Sequence, residues 1–168
     1  MVKISKLKEE ETGIFRKLLL KIFTEGFGDY PAVAQNYNKN YWSIERLAQY
    51  THKKNILLLL AKDDSQPVGL LIGKYYSSGK SSILWLGVLI TRREKGVGGR
   101  LVEHWERWAK NKGTYTLRVS TANFQNERFY TKLGFTKSPV LENNDWGMKK
   151  LVFLKKQYDG ELKNRFKP

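Results

Sequence analysis

Hydrophobic and polar positions near the start of the chain change from a strand pattern to a helix pattern. Residues 2–7 alternate apolar and polar side chains, which predicts a first strand. Residues 13–23 repeat apolar side chains at helical spacing, which predicts an amphipathic helix. Its expected buried face consists of Ile14, Phe15, Leu18, Leu19, Ile22 and Phe23. A polar, aromatic loop over residues 24–42 should follow, and Ser43 should cap a short second helix.

Three apolar segments predict three consecutive strands. They cover residues 55–61, 67–76 and 81–90, and polar turn sequences separate them. Aspartate, serine and glycine between such segments are typical of antiparallel hairpins. Because the segments are almost continuously apolar, both faces of this part of the sheet should be covered.

The second half of the chain predicts further alternation of helices and strands. In order these are a helix around residues 101–109 that Gly113 ends, a strand at 114–120, a short helix at 123–135 that Gly134 ends, and a last strand at 146–156. A strand, a helix and another strand in succession form a βαβ crossover, so one strand pair should be parallel. The predicted order is βααβββαβαββ, in which the strand between the short helix and the last strand is given no bounds. This order corresponds to a mixed α/β sheet with helices on both faces.

Length and charge narrow the class of protein. At 168 residues the chain is long enough for one domain with its own core, expected over residues 1–156 and followed by a basic tail over residues 157–168. Lysine and arginine number 31 against 16 acidic residues, which gives a net charge of +15. Such a charge favours acidic partners, nucleic acid, or a genome rich in lysine codons.

Cysteine is absent, which excludes disulfides, thiolate metal sites and a cysteine nucleophile. With two separated histidines and no cysteine, no metal site is expected. The N-terminal segment carries no apolar signal region, and the longest apolar run is far shorter than a membrane span. We therefore expect a cytoplasmic protein that does not bind a membrane.

The sequence RREKGVGGRL, residues 92–101, places three glycines where a helix should begin. Glycine lowers helix stability, so these glycines should have a compensating role. A strand, a glycine-rich turn and a helix start favour an anion site, because glycine admits a ligand close to the backbone and the helix start presents free amides. The alternative is a loop that only turns and uses glycine for a positive φ.

Two familiar phosphate-binding patterns do not fit this chain. The dinucleotide fingerprint needs a glycine where Leu101 stands. The nucleotide P-loop needs a glycine five residues before Gly79, where the chain has Lys74. The segment at Gly79 also lies in a predicted hairpin, whereas a P-loop precedes a helix.

The spacing Arg93-x-x-Gly96-x-Gly98 resembles the acyl-CoA-binding motif [QR]-x-x-G-x-[GA] of the GNAT superfamily of N-acetyltransferases. A second signature of that superfamily, N-x-x-x-x-x-F-Y-x-K-x-G-F, matches at every fixed letter from Asn123 to Phe135. The strand order agrees, and the resemblance extends over nearly the whole chain. It implies a GNAT-like acyl-CoA N-acyltransferase fold, with a mixed, mostly antiparallel sheet of about seven strands flanked by about four helices.

The resemblance also implies acetyl-CoA as the cosubstrate and assigns residues to it. The pyrophosphate would lie on the loop and helix start formed by Arg93, Glu94, Lys95, Gly96, Val97, Gly98, Gly99 and Arg100. The backbone of Leu86, Gly87 and Val88 would pair with the pantetheine arm and direct an amide at the thioester oxygen, as in an oxyanion hole. Asn123 would hydrogen-bond the cofactor beside the following strand.

The same resemblance makes Tyr130 the general acid that protonates the leaving thiolate, because a phenol pKa near 10 roughly suits a thiol pKa near 8.5. The alternative is that Tyr130 is an aromatic packing residue. With no cysteine, we expect direct attack by a primary amine within a ternary complex. That amine could be a protein N-terminus, a lysine or a small molecule.

The base that would deprotonate the amine is not assigned by the resemblance. Relatives that acetylate ribosomal-protein N-termini carry a glutamate where this chain has Arg118, and histone-type relatives carry one near the position of Ser81. Glu25, Asp29 and Glu45 lie in the segment that usually walls the acceptor site, and each is a candidate acting through water. Water alone is the remaining alternative.

The acceptor wall should come from aromatic residues of the segment before Ser43, unless these residues only pin that segment to the core. They are Phe27, Tyr30, Tyr37, Tyr41 and Trp42. A strongly cationic acceptor would be repelled by a +15 surface, which favours a protein amine, an acidic peptide or a weakly charged small amine. Rival functions are a nucleic-acid-binding module and an acyl-CoA sensor without turnover, and a homodimer is left open.

Overall fold

Seven strands form one sheet in the order β1-β2-β3-β4-β5-β7-β6. The structure, a computed structural model, describes residues 1–26, 30–93, 95–122, 126–142 and 145–156. The strands are β1 Val2–Lys6, β2 Ile56–Asp63, β3 Gln66–Tyr76, β4 Lys80–Val88, β5 Thr116–Thr121, β6 Thr136–Leu141 and β7 Lys150–Lys156. The helices are α1 Thr12–Gly26, α2 Ala32–Tyr41, α3 Ile44–Thr51, α4 Val97–Asn111 and α5 Glu127–Lys132. Short 3-10 turns lie at Glu9–Glu11, Ile90–Arg92 and Asp145–Gly147.

The predicted mixed sheet is confirmed. Strands β4 and β5 pair in parallel, and the other neighbouring strands pair antiparallel. The hairpin between β2 and β3 turns at Asp64 and Ser65, which both have positive φ as a tight two-residue hairpin requires. The chain crosses from β4 through α4 to β5, and this crossover explains why these two strands are parallel.

One helix was not predicted. The segment expected as a loop, residues 24–42, contains the last turn of α1 and all of α2. Of the α2 side chains, only that of Ala34 is buried, so the helix shows no continuous apolar face in the sequence. The predicted cap of the next helix is confirmed, because the Ser43 hydroxyl accepts a hydrogen bond from the Arg46 amide at 3.3 Å.

Helices cover both faces of the sheet, as the apolar strands predicted. In β2, Leu57 and Leu59 point into the core under α4, whereas Leu58 and Leu60 point into the core under α1 and α3. The predicted buried face of α1 is correct for five residues, but Ile14 is 47% exposed. It is the first apolar residue of that helix and lies beyond the edge of the buried stripe.

Trp105 fixes α4 to the sheet. Its side chain is fully buried, and its indole N–H donates to the Ser81 hydroxyl at 3.2 Å. That hydroxyl in turn donates to the Lys74 carbonyl at 3.0 Å. A Cβ atom at Gly73 would lie 2.5 Å from Cδ1 of Trp105, so the absence of a side chain at Gly73 lets the indole lie directly on β3.

Replacement of Gly73 by alanine should therefore destabilise the protein. Since Trp105 has no free space around it, we expect the free energy of unfolding in urea to fall by about 1–3 kcal/mol. Gly13→Ala is the matched control, because a Cβ at Gly13 meets no atom within 4 Å, and it should stabilise by up to about 1 kcal/mol. Equal stability of the Gly73→Ala variant and the unmodified protein would contradict this packing.

Candidate functional site

Strands β4 and β5 pair at one end and part at the other. Their register joins only Lys80, Ser81 and Ser82 to residues 116–118. Beyond that point β4 continues to Val88 paired with β3, and β5 continues to Thr121 paired with β7. In the described part of the chain, the facing edges of the two strands have no further partner strand, so a gap opens between them.

A β-bulge at Leu84 lies where the strands part. Trp85 is opposite Ile72, but Ile83 is opposite Gly73, so Leu84 is one extra residue in β4. As a result Leu84 and Trp85 both pack against the core under α1, and Leu86 packs against the core under α4. A bulge bends and twists the strand that carries it, which helps turn β4 away from β5.

The backbone of β4 presents hydrogen-bonding groups to the gap. The Leu89 amide donates to the Val68 carbonyl of β3 at 3.0 Å. Because the backbone groups of successive residues point to opposite edges of a strand, those of Leu86 and Val88 face the gap. The Val88 carbonyl accepts a hydrogen bond from Nε of Arg93 at 3.4 Å. Of the three residues expected to bind the pantetheine arm, Leu86 and Val88 therefore face the opening, whereas the backbone groups of Gly87 face β3.

A cavity of about 710 Å³ occupies the gap. Residues 82–86 of β4 and residues 118–121 of β5 line it. Tyr130 of α5 and Tyr37 of α2 lie on its wall, as do residues from the turn before β7. Elements from both faces of the sheet thus meet at one opening.

The glycine stretch forms the start of α4. Gly96 precedes the helix with φ 75° and ψ 0°, a left-handed conformation that favours glycine. The first hydrogen bond of this helix turn runs from the Arg100 amide to the Gly96 carbonyl at 3.1 Å. The amides of Val97, Gly98 and Gly99 precede it, so they are the groups that a helix start leaves for a ligand.

The three glycines differ in what the fold requires of them. Gly96 is needed for its positive φ, which is the alternative that the sequence left open. A Cβ at Gly98 would lie 3.3 Å from the Phe129 ring, so close packing on α5 also restricts this position. A Cβ at Gly99 would make only an ordinary contact of 3.7 Å with Leu133. Backbone conformation and packing therefore account for Gly96 and Gly98. They do not account for the glycine at position 99.

The basic residues of this stretch have different surroundings. Arg92 forms an ion pair with Asp63 at 2.8 Å and is therefore neutralised. Arg93, Lys95 and Arg100 are exposed around the start of α4. Their charges add to the positive end of the helix dipole, which favours an anion there.

Tyr130 lies at the inner wall of the cavity and is 5% exposed. Its ring packs against those of Phe129, Phe135 and Phe153, with centroids 5.0 to 6.0 Å apart. Burial, and to a smaller extent Tyr30, raise the pKa of Tyr130 above its usual value of 10. The phenol is thus neutral at neutral pH, and its pKa is further from that of a thiol than the sequence suggested.

Two of the three base candidates lie away from the cavity. Glu25 is paired with Lys21 at 3.8 Å on α1, and Glu45 is exposed in the first turn of α3. The pKa of Glu45 is lowered by hydrogen bonds from the Ser43 side chain and from the backbone. Neither residue lines the cavity. The carboxylate that does line it, within the described chain, is Asp145.

Asp145 belongs to a group of site residues that the sequence prediction missed. Lys150 binds its carboxylate at 2.6 Å, and the neighbouring Trp146 lies 5.1 Å from the Tyr37 ring, centroid to centroid. Trp146 has φ 63°, which is rare for a bulky residue. An acidic residue next to an aromatic one before the last strand was the signal available, and it is weak.

The predicted aromatic wall is partly at the cavity. Tyr30, Tyr37 and Trp42 line it, whereas Tyr41 stacks on Tyr37 at 5.6 Å from outside. Burial raises the pKa of Tyr30, and the charge of Asp145 adds to the shift. Several predicted residues and the predicted tail lie outside the described residues: Phe27, Asp29, Glu94, Asn123 and residues 157–168.

The described residues do not form a membrane-spanning helix or a metal site. Among the described ranges, no helix combines the length and apolar character that crossing a membrane requires. The same ranges contain no group of three or more histidine, cysteine, aspartate or glutamate residues arranged to hold a metal ion.

Comparison with known proteins gives a family match and many fold matches. The model of the acetyltransferase (GNAT) family matches residues 15–135. No curated protein matches the chain by sequence. Among solved structures, the PaiA N-acetyltransferase of Thermoplasma acidophilum, in complex with coenzyme A, is 24% identical with a TM-score of 0.77, and the match covers 93% of this chain and 99% of that one.

Two further structures illustrate the range of relatives. The ribosomal-protein-S18-alanine N-acetyltransferase of Escherichia coli is 15% identical with a TM-score of 0.72, over 96% of this chain and 97% of that one. The aminoglycoside 6'-N-acetyltransferase of Enterococcus faecium is 17% identical with a TM-score of 0.69, over 95% and 99% of the two chains. At these identities the likeness shows the fold.

Gly96→Ala should weaken binding of coenzyme A, the ligand expected at the start of α4. A left-handed conformation costs a non-glycine residue about 1–2 kcal/mol, and relief of that strain would turn the helix-start amides. We expect affinity in calorimetric titration to fall about tenfold, the worth of one hydrogen bond to a charged group. Gly113→Ala, with φ 78° at the other end of α4, is the control and should lose stability but keep affinity. Equal affinities for both variants would place the anion elsewhere.

Proposed function

The chain belongs to the GNAT family of acetyltransferases, and on this basis we propose that it transfers the acetyl group of acetyl-CoA to a primary amine by direct attack within a ternary complex. The observation that carries the proposal is the parting of β4 from β5, which leaves the backbone of Leu86 and the amide of Val88 without a partner strand beside the cavity that Tyr130 lines. An acyl-CoA and an amine can meet there from opposite faces of the sheet.

The free edge of β4 is suited to the pantetheine arm. That arm contains two amide groups, and an extended chain with amides can pair with a strand edge as an added strand does. The backbone of Leu86 and Val88 would pair with it, with Gly87 between them. An amide of this edge would then lie next to the thioester oxygen, where negative charge develops during attack.

The start of α4 is suited to the pyrophosphate. The amides of Val97, Gly98 and Gly99 and the side chains of Arg93, Lys95 and Arg100 supply donors and positive charge around one point. Gly99, which the fold alone does not require, would leave room for phosphate oxygens. Glu94 and Asn123 are proposed to contribute as the family pattern implies, from outside the described residues.

The acceptor amine is protonated in water, and its nitrogen loses two protons on becoming an amide. After the first proton is lost, the amine nitrogen attacks the thioester carbonyl carbon and forms the new C–N bond. The C–S bond breaks, and the sulfur leaves with the electron pair and takes the proton of the Tyr130 phenol. The second proton of the nitrogen then passes through water to the Tyr130 oxygen, which restores the phenol. Because burial keeps this phenol neutral, it can donate throughout the neutral pH range.

Asp145 takes the place of Glu25 and Glu45 as the candidate that receives the amine proton. It lines the cavity, and its carboxylate is 66% exposed, so water can connect it to a bound amine. The ion pair with Lys150 at 2.6 Å holds this carboxylate beside the cavity.

Tyr130→Phe should lower kcat by about 10²–10⁴-fold and change KM for acetyl-CoA little, because the phenol acts on the leaving sulfur rather than on binding. Because burial raises the pKa of Tyr130 above 10, deprotonation of this phenol should not lower the kcat of the unmodified protein at any pH below 10. Release of free thiol with time, measured across pH, tests both points. Tyr75→Phe is the control, because Tyr75 does not line the cavity. Unchanged kcat in Tyr130→Phe would make Tyr130 a packing residue.

A further inference from the structure

The face of the sheet opposite α4 carries several positive charges side by side, and we call it the acceptor face. Leu117 and Val119 of β5 are buried under α4, so Arg118 between them points to the opposite face, which Trp85 and the aromatic wall also border. The strand register places Lys74 of β3, Ser82 of β4 and Arg118 in one row on this face.

The neighbouring row of the sheet is also basic. Tyr76, Lys80, Thr116 and Lys156 follow one another across β3, β4, β5 and β7. The ammonium groups of Lys74 and Lys80 lie 5.0 and 4.9 Å from the centroid of the Tyr76 ring, which lines the cavity. These lysines do not line the cavity themselves, but their charges lie beside it and favour an anion there.

The charges that line the cavity itself do not cancel. Lys150 is 12% exposed and is neutralised by Asp145 at 2.6 Å. Arg118 also lines the cavity and is half-buried, but among the described residues no ion pair or hydrogen bond to its side chain is found. One positive charge is thus left over, and it belongs to the side chain whose planar fork matches a carboxylate.

We propose that Arg118 binds a carboxylate of the acceptor, so that the acceptor is an amine that also carries a carboxylate. A half-buried guanidinium that has no partner within the described ranges gains most from an anion that can accept two parallel hydrogen bonds. The site begins where β4 and β5 part, so a carboxylate held at Arg118 directs the rest of the acceptor along the opening toward the thioester. This inference rests on the proposed acetyl transfer and names its substrate class.

Two kinds of acceptor combine an amine with a carboxylate in this way: a free amino acid, and an acidic peptide with a free N-terminus. Both present an amine and a carboxylate separated by a few bonds. A diamine presents two cations and no anion, so the positive charges of Arg118 and of the lysines beside the cavity disfavour it. The rim formed by Tyr37 and Trp146 can pack against an apolar or aromatic part of either kind of acceptor.

The test compares amines that differ only in a carboxylate. The pairs are phenylalanine with phenethylamine, tyrosine with tyramine, and lysine with cadaverine. As the peptide arm, a dipeptide amide that begins with aspartate is set against the same dipeptide amide beginning with asparagine. Thiol release at saturating acetyl-CoA gives kcat/KM for each. The unmodified protein should favour the carboxylate member of at least one pair by about tenfold, and Arg118→Gln should remove that preference.

Two further variants separate the carboxylate contact from general charge. Arg107 is exposed on α4 and does not line the cavity, so Arg107→Gln removes the same charge elsewhere and should keep the preference. Arg118→Lys keeps the charge but lacks the planar guanidinium, so it should keep only part of the preference for a carboxylate. Thermal unfolding of each variant shows whether it is folded.

The outcomes distinguish the two proposals. If acetyl-CoA is not bound and no amine releases thiol, the proposed function itself is wrong. If acetyl-CoA is bound and the amines without a carboxylate react as well as or better than their partners, or if the preference survives in Arg118→Gln, the role of Arg118 is wrong and acetyl transfer stands.

Discussion

The parting of β4 from β5 is the constraint on which the rest of the site depends. Three residues of β4 pair with β5, and the remainder of the strand turns away. A sheet that stayed paired to Val88 would satisfy the amides of Leu86 and Val88 and would close the cavity. Because the strands part, one edge remains to pair with a ligand, and Tyr130 and Arg118 border the same opening from opposite faces.

Packing on both sides of the sheet holds the strands in this arrangement. On one face Trp105 binds Ser81 at the paired end, and a glycine at position 73 admits its indole. On the other face a Cβ at Gly87 would lie 2.5 Å from Ile22, so α1 presses directly on the part of β4 that diverges. The bulge at Leu84 lies between these two contacts and allows the bend.

The sequence predicted the sheet better than the site. Continuous apolar segments specify strands covered on both faces, and the βαβ crossover specifies the parallel pair. The sequence does not predict helix α2, because this helix buries only Ala34 and so has no apolar stripe. The sequence also does not predict that the cavity is lined by Asp145, Trp146 and Lys150. Tertiary packing brings these residues to the cavity, and a periodic pattern of apolar residues carries no information about such contacts. In the sequence, Arg118 is marked only as the residue that stands where some relatives have a glutamate. Its alternation with Leu117 and Val119 predicts that it points to the face opposite theirs, but only the structure identifies that face as the one bordering the cavity.

The most direct test of this account is thermal unfolding of the protein with acetyl-CoA and, in parallel, with ATP at equal ionic strength. Ligand at a hundredfold excess over its dissociation constant adds about 2.7 kcal/mol to the free energy of unfolding. We expect a clear rise in melting temperature with acetyl-CoA and a much smaller one with ATP, because of these two ligands acetyl-CoA alone combines a pyrophosphate with the arm that we propose to pair with β4. Equal shifts would indicate a non-specific basic surface. No shift with acetyl-CoA would contradict the assignment of the parted strands and the glycine stretch to this cosubstrate.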